Sequence, residues 1–210
     1  MKGLIYRANL GFNGAPHYDR PRPMPQEDGV LIETMTGTYP LKHEAKWRSR
    51  ERKILSPPDA GDAQWLLWLD TSLVPRGPMA PHAETWLKDH DLAIFKHPWR
   101  DCAYEEVDEC VRRKKLEPRL GNEIKSTLAL NSLPKHWGLW SCGAIAWSNA
   151  FLAREGIHRL RKAWWHWTQA AGFRDQIALP LALREAGMRA KLLTIDEDIY
   201  RFFDWVPHGR

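Results

Sequence analysis

Short apolar runs alternate along the chain with segments of helical periodicity, and this alternation predicts an α/β protein. Strands are predicted at Gly3 to Leu10 and at Gly29 to Met35. Between them residues 11–28 hold four prolines and two glycines. Proline fixes φ and removes a ladder donor, so this stretch is expected to be an irregular loop. His43 to Ile54 reads as a basic helix stopped by Ser56-Pro57-Pro58. Trp65 to Leu69 is a run of five large apolar residues bounded by Gly61-Asp62 before and Asp70 after, the pattern of a central strand buried on both faces. Asp70 then falls at the carboxyl edge of the sheet, where open α/β sheets bind ligands.

Leu92 to Phe95 is a second short apolar run. The helix expected after it has Asp101 as its cap and Glu105 and Glu106 in its first turns. Tyr104, Val107, Cys110 and Val111 form its apolar face, and Arg112 to Lys115 close it. Gly138 to Trp147 predicts another buried strand, with Gly143 where a backbone or ligand approaches closely. In the helix that follows, Ile157, Leu160, Trp164, Trp167 and Ala171 share one face, so Trp164 and Trp167 are expected in the core and Trp165 and His166 away from it; Gly172 stops the helix. Ile177 to Ala186 is helical, with Pro180 kinking it or beginning its regular part and Gly187 as its C-cap. Lys191 to Ile195 reads as a last strand.

A chain of 210 residues with 43% hydrophobic and 27% charged residues fits one globular domain over 1–210 and excludes a disordered, collagenous or coiled-coil protein. At that length about 70% of the unfolded surface is buried on folding, so no staple is needed for stability. No apolar run approaches the roughly 18 residues of a membrane span, and the first residues do not read as a signal peptide, so a cytoplasmic location is the expectation. The odd set Cys102, Cys110 and Cys142 has no CxxC pair, which argues for reduced, buried thiols. A net charge of +5 favours anionic partners, whether nucleotide, phosphate or nucleic acid. Twelve tryptophans suit cores, sugar faces and bases alike.

The chain has no GxGxxG, Walker A, HExxH or GxSxG motif, which argues against dinucleotide enzymes, phosphate-loop hydrolases, zinc proteases and serine hydrolases. Three ordered blocks carry a different resemblance: Trp65 to Asp70, Ala93 to Glu106 (AIFKHPWRDCAYEE) and Arg174-Asp175-Gln176. They resemble the glycosyltransferase-like domain family of plant mucilage-related and bacterial proteins and, more broadly, retaining sugar-nucleotide transferases of the GT-A type. The resemblance covers roughly residues 50–208. It implies a single-domain GT-A-like (Rossmann-like) mixed sheet flanked by helices, and transfer of a sugar from a nucleotide-sugar donor to a hydroxyl acceptor.

Residue by residue, the resemblance places Asp70 as the first acid of a metal motif that holds Mn²⁺ or Mg²⁺ against the donor diphosphate, with His208 as a late metal ligand. Thr71-Ser72 stand where a second acid or Asn would complete the motif, leaving Ser72 or a water as the substitute. Arg50 and Lys53 match an Arg-x-x-Lys pattern of nucleotide or phosphate contacts, Asp175 and Gln176 match a catalytic pair, and His97, Arg100 and Trp165 are assigned to the sugar or acceptor pocket. Six of these residues have a plainer reading as well. Arg50 and Lys53 fit ordinary helix-surface charge, Asp175 a helix N-cap, His97 and Arg100 a structural turn with Arg100 on a carboxylate, and His208 simple surface. The acceptor is a glycan or a hydroxymethylated base in nucleic acid. The competing function is a non-catalytic nucleic-acid or polyanion binder, supported by the basic 46–53 segment and aromatic residues such as Trp165.

Overall fold

The computed structural model describes residues 2–12, 24–152, 155–170 and 174–206. β1 (Gly3–Phe12) and β2 (Val30–Tyr39) pair in parallel from Gly3 with Val30 to Phe12 with Tyr39. The first strand therefore runs two residues into the proline-rich stretch, and residues 13–23 lie outside the described ones. β3 (Trp65–Leu69) is buried throughout, and its residues alternate between two apolar layers. Trp65, Leu67 and Leu69 enter one, Leu66 and Trp68 the other.

The main sheet has six strands in the order β2-β1-β3-β6-β5-β7, with β5 at Leu92–Lys96, β6 at Trp140–Ser148 and β7 at Leu192–Ile195. β6 runs against its neighbours β3 and β5; the other pairings are parallel. The short strands β4 (Leu73–Pro75) and β8 (Phe203–Trp205) pair separately. One apolar layer gathers residues of α1 (Lys42–Ile54), α3 (Ala103–Arg112), α4 (Pro118–Leu130), α6 (Glu155–Ala170) and α7 (Asp175–Glu185). The other is covered by α2 (Ala80–Leu87) together with Met79 and Phe203. A four-residue helix, α5 (Asn149–Leu152), follows β6. The architecture is the mixed, mostly parallel sheet flanked by helices that the sequence implied.

Several local expectations are corrected. The residue before α3 is Cys102, and Asp101 makes no cap; its Oδ1 lies 2.6 Å from His136 Nδ1 instead. α7 begins at Asp175 and carries Pro180 in its interior, with Ile177 to Leu183 all buried. Proline has no N–H to give the carbonyl four residues back, so the Gln176 C=O is relieved of its helical partner. The residue flanking α7 is Arg174, so Asp175 is the first helical residue and not the N-cap. Gly187 does follow the helix at φ 66°, and Met188 N–H returns to Leu183 O at 2.9 Å. Gly172 lies outside the described residues. Trp164 is fully buried, but Trp167 is only partly so and donates its indole N–H to Glu185. All three cysteines are free and buried.

Close packing of β1 on β3 produces a sharp test. A Cβ on Gly3 would fall within the indole of Trp65, itself fully buried. Gly3→Ala is expected to cost about 2 kcal/mol by overpacking, lowering Tm by roughly 4–8 °C in a thermal melt.

Candidate active site

A cleft of about 380 Å³ opens at the carboxyl ends of β1 and β3. Asn9 and Leu10 line it from β1, and Trp68, Asp70 and Thr71 from β3 and its exit turn. Opposite stands one face of α1: Lys42, Ala45, Lys46, Ser49, Arg50 and Lys53, spaced at 3, 4, 7, 8 and 11 residues from the first. The start of α7 adds Arg174, Asp175 and Gln176. α1 sends its other basic residues elsewhere: Arg48 bonds Glu51, and Arg52 pairs with Glu33.

Asp70 is fixed by backbone and side chain together. Its register partner strand β6 is irregular here, because Ile94 of β5 pairs with Ile145 while Phe95 pairs with Ser141. The intervening bulge turns Cys142 and Gly143 toward the cleft, where both line the wall. Gly143 O accepts the Asp70 N–H at 2.7 Å, and Asp70 O accepts the Leu73 N–H at 2.9 Å. On the side chain, Oδ1 accepts the Trp68 indole N–H at 2.8 Å and lies 3.0 Å from Lys53 Nζ.

Lys53 is the centre of the arrangement. Its ammonium is buried, lies 2.8 Å from Asp175 Oδ2 and sits 5.2 Å from the centre of the Trp68 ring. Burial alone would lower its pKa, but Asp175 and Asp70 reverse the effect and raise it. Burial likewise favours a neutral Asp175, yet Lys53 and then Arg50, at 3.7 Å, hold its carboxyl well below the usual carboxylate range. Asp175 is thus an ionised, positioned carboxylate and a poor proton acceptor. The thiol of Cys142 is pushed well up by burial and then by Asp175 and Asp70 against Lys53, so it is not a nucleophile.

The cleft is crowded with positive charge. Lys46 is lowered by burial and then by Lys42, Arg50 and Arg174. A cation with a depressed native pKa opposes folding while it is charged, and that opposition fades as pH rises through the native value. Lys46 is exposed and its charge is screened by solvent, so Lys46→Met is expected to raise Tm by no more than about 1 °C at neutral pH while weakening anion binding, as paired melts with and without inorganic pyrophosphate would measure.

A second depression, of about 160 Å³, adjoins the first and shares Arg174 and Gln176 with it. His97, Trp99 and Arg100 line it after β5, with Tyr200 beyond. The buried His97 Nδ1 accepts the N–H groups of Trp99 at 3.3 Å and Arg100 at 3.1 Å. Burial lowers the His97 pKa, with Glu106 opposing and Arg100 assisting, which keeps the ring neutral. Arg100 places its Nε 2.7 Å from Glu106 Oε2, so the structural turn is real and still faces the depression. Trp99 is 63% exposed, an open aromatic face at the rim. At the seam, Arg174 Nε and Gln176 Nε2 are buried without a hydrogen-bond acceptor among the described residues.

Arg50, Lys53, Asp70, Asp175 and Gln176 are thus brought into one cleft, and His97 and Arg100 into its neighbour. Ser72 is not in the cleft lining; Thr71 takes that place, and Ser72 O accepts the Val206 N–H at 2.7 Å. Trp165 lines neither depression and packs edge-on against Trp47 at 5.4 Å. His208 lies outside the described residues. Lys42 and Lys46 were not singled out from sequence, although their spacing to Arg50 and Lys53 is that of one helix face.

Among the described residues, the donor set at Asp70 does not fit a divalent cation. Asp70 and Asp175 share one ammonium, and Thr71 supplies a hydroxyl where a second acid is needed. Among the described residues, the group of acid, His and Cys ligands close enough to share an ion is Cys102, Glu105 and His136, none of which lines the cleft.

No protein-family model and no curated protein matches the chain. Solved structures do resemble it. The apo WbbM bifunctional glycosyltransferase aligns at 8% identity and a TM-score of 0.49, over 92% of this chain and 38% of that one. Apo mouse xyloside xylosyltransferase 1 aligns at 10% identity and a TM-score of 0.40, over 93% and 84%. The galactosyltransferase LgtC with donor and acceptor sugar analogues aligns at 10% identity and a TM-score of 0.40, over 92% and 73%. The chain spans about 38% of the length of WbbM. No helix among the described residues is long and apolar enough to cross a membrane.

Proposed function

We propose that the chain is a glycosyltransferase that moves a sugar from a nucleotide-sugar donor to a hydroxyl group of a glycan. The observation that carries this reading is the seam: a cation-lined cleft with an ionised carboxylate at its floor meets a second, aromatic-rimmed depression at Arg174 and Gln176. The cleft is of ligand size, and Lys42, Lys46 and Arg50 suit a diphosphate whose charge grows as the sugar departs. Asp175, held anionic, stabilises the oxocarbenium-like centre by its charge. Gln176 and Arg174 line both depressions, where an amide and a guanidinium suit sugar or acceptor oxygens. Because Asp175 is a weak base, the acceptor hydroxyl proton passes to the departing diphosphate oxygen. This route fits the retention of configuration that the sequence resemblance implies. The acceptor sugar stacks against Trp99 in the second depression.

Thermal-shift screening against a panel of nucleotide sugars tests the reading. A donor at 100 times its Kd is expected to raise Tm by about 5–10 °C, and Arg50→Ala is expected to remove most of that shift. A protein stabilised by DNA or heparin but by no nucleotide sugar would favour the non-catalytic polyanion binder instead.

A further inference from the structure

Asp70 and Asp175 come from distant parts of the chain and would make a natural start for a cation site, yet the space between them is filled by the chain itself. Lys53, in the last turn of α1, is 4% exposed, with Nζ 3.0 Å from Asp70 Oδ1 and 2.8 Å from Asp175 Oδ2. The Trp68 ring faces the ammonium, and its N–H fills the same Asp70 oxygen that Lys53 contacts. Arg50 lies against the other oxygen of Asp175. Three of the four carboxylate oxygens therefore already face nitrogen donors. A hard divalent ion needs about six oxygen ligands and would stand next to a buried positive charge.

We propose that Lys53 is the resident cation of this site, taking the place of a divalent metal, and that the cleft binds the diphosphate of its ligand without one. The ammonium holds Asp175 at the seam and Asp70 at the sheet edge in fixed relation, while Lys42, Lys46 and Arg50 meet the phosphates. The diphosphate half of this inference rests on the glycosyltransferase reading; the role of Lys53 does not.

Two titrations of the full chain separate these halves. In the first, Mn²⁺ alone is followed by electron paramagnetic resonance. Wild type is expected to show no Asp70-dependent Mn²⁺ binding below about 1 mM. Lys53→Gln, which takes the buried ammonium away from both carboxylates, is expected to gain a site at least about tenfold tighter that disappears when Asp70→Asn is added. Micromolar Mn²⁺ binding by wild type that is lost in Asp70→Asn overturns the proposal. Binding that survives Asp70→Asn belongs elsewhere on the chain and leaves Lys53 as the resident cation. The wild-type arms need no Lys53 variant, so a poorly folding Lys53→Gln does not block the decision.

In the second titration, UDP and GDP are added with EDTA or with Mn²⁺. Affinities within about twofold of each other are expected, and a tenfold gain with Mn²⁺ that Asp70→Asn removes overturns metal-free binding. If neither nucleotide binds under either condition, the glycosyltransferase reading loses its donor, while the Mn²⁺ result still decides what Lys53 does.

Discussion

Replacing Asp175 with asparagine is expected to lower sugar transfer by about 10²–10³-fold in kcat with little change in donor KM. The amide keeps the size and most of the hydrogen-bonding shape of the carboxylate but cannot offer a negative charge to an oxocarbenium-like centre. The charge in question is secure at working pH, because Lys53 and Arg50 outweigh burial and hold the carboxyl well below its usual range. The substitution also takes one of the two carboxylates from a buried ammonium, which costs about 3 kcal/mol of stability. A group with a depressed native pKa contributes its stability above the unfolded value, about 3.9 for Asp, and loses it as pH falls toward the native one. The stability gap between wild type and Asp175→Asn should therefore be flat from about pH 5 to 8 and narrow below about pH 4. Steady-state kinetics and melts across pH check both halves. A variant that keeps transfer within threefold of wild type would make Asp175 a purely structural ion-pair partner.

Lys53→Met is the second large effect. It removes the shared cation and leaves two carboxylates facing each other, with an expected loss of about 3–5 kcal/mol at pH 7, or roughly 6–20 °C in Tm. The larger figure assumes full burial, and Asp70 is 41% exposed at its side chain, so water offsets part of the cost and the lower end is expected. The loss should shrink at pH 4, where protonation of a carboxylate removes the repulsion. At the alkaline end the loss shrinks for a different reason. The raised Lys53 pKa means its stabilisation is complete below the unfolded value of about 10.4 and fades as pH climbs through the higher native one. Equal melts for variant and wild type at pH 7 would show that the bridge contributes nothing.

The elements nearest the site were the most legible. Five consecutive apolar residues ending in an acid left little alternative to a central strand with Asp70 at its edge, and β3 is that strand. The basic helix was legible too, but not its division of labour. Arg48 and Arg52 are neutralised by Glu51 and Glu33, and only the heptad-like face through Lys46 and Lys53 looks into the cleft. The bridge itself was hidden, since Lys53 and Asp175 are 122 residues apart and no periodicity links them. α4 was faint for a physical reason. Its interior Gly121 and polar Asn122, Ser126 and Thr127 weaken the helical pattern, and the glycine is required by tertiary packing, a Cβ there lying 2.6 Å from Val111 Cγ2. Ser72 was misplaced because pairing of β4 with β8 sets the direction of the turn, drawing the Ser72 carbonyl to Val206. Trp165 was assigned outward on helical spacing alone, and its partner Trp47 comes from a helix more than a hundred residues earlier.

The three buried thiols give the molecule a built-in clock. A disulfide reagent reaches none of them until the fold opens locally, so the rate of labelling measures the free energy of that opening without any engineered probe. Cys142 forms part of the cleft wall, whereas Cys102 and Cys110 sit at the two ends of α3. Mass spectrometry of the labelled cysteines would thus time two regions of one protein separately. Occupancy of the cleft should slow the first hand of the clock more than the other two.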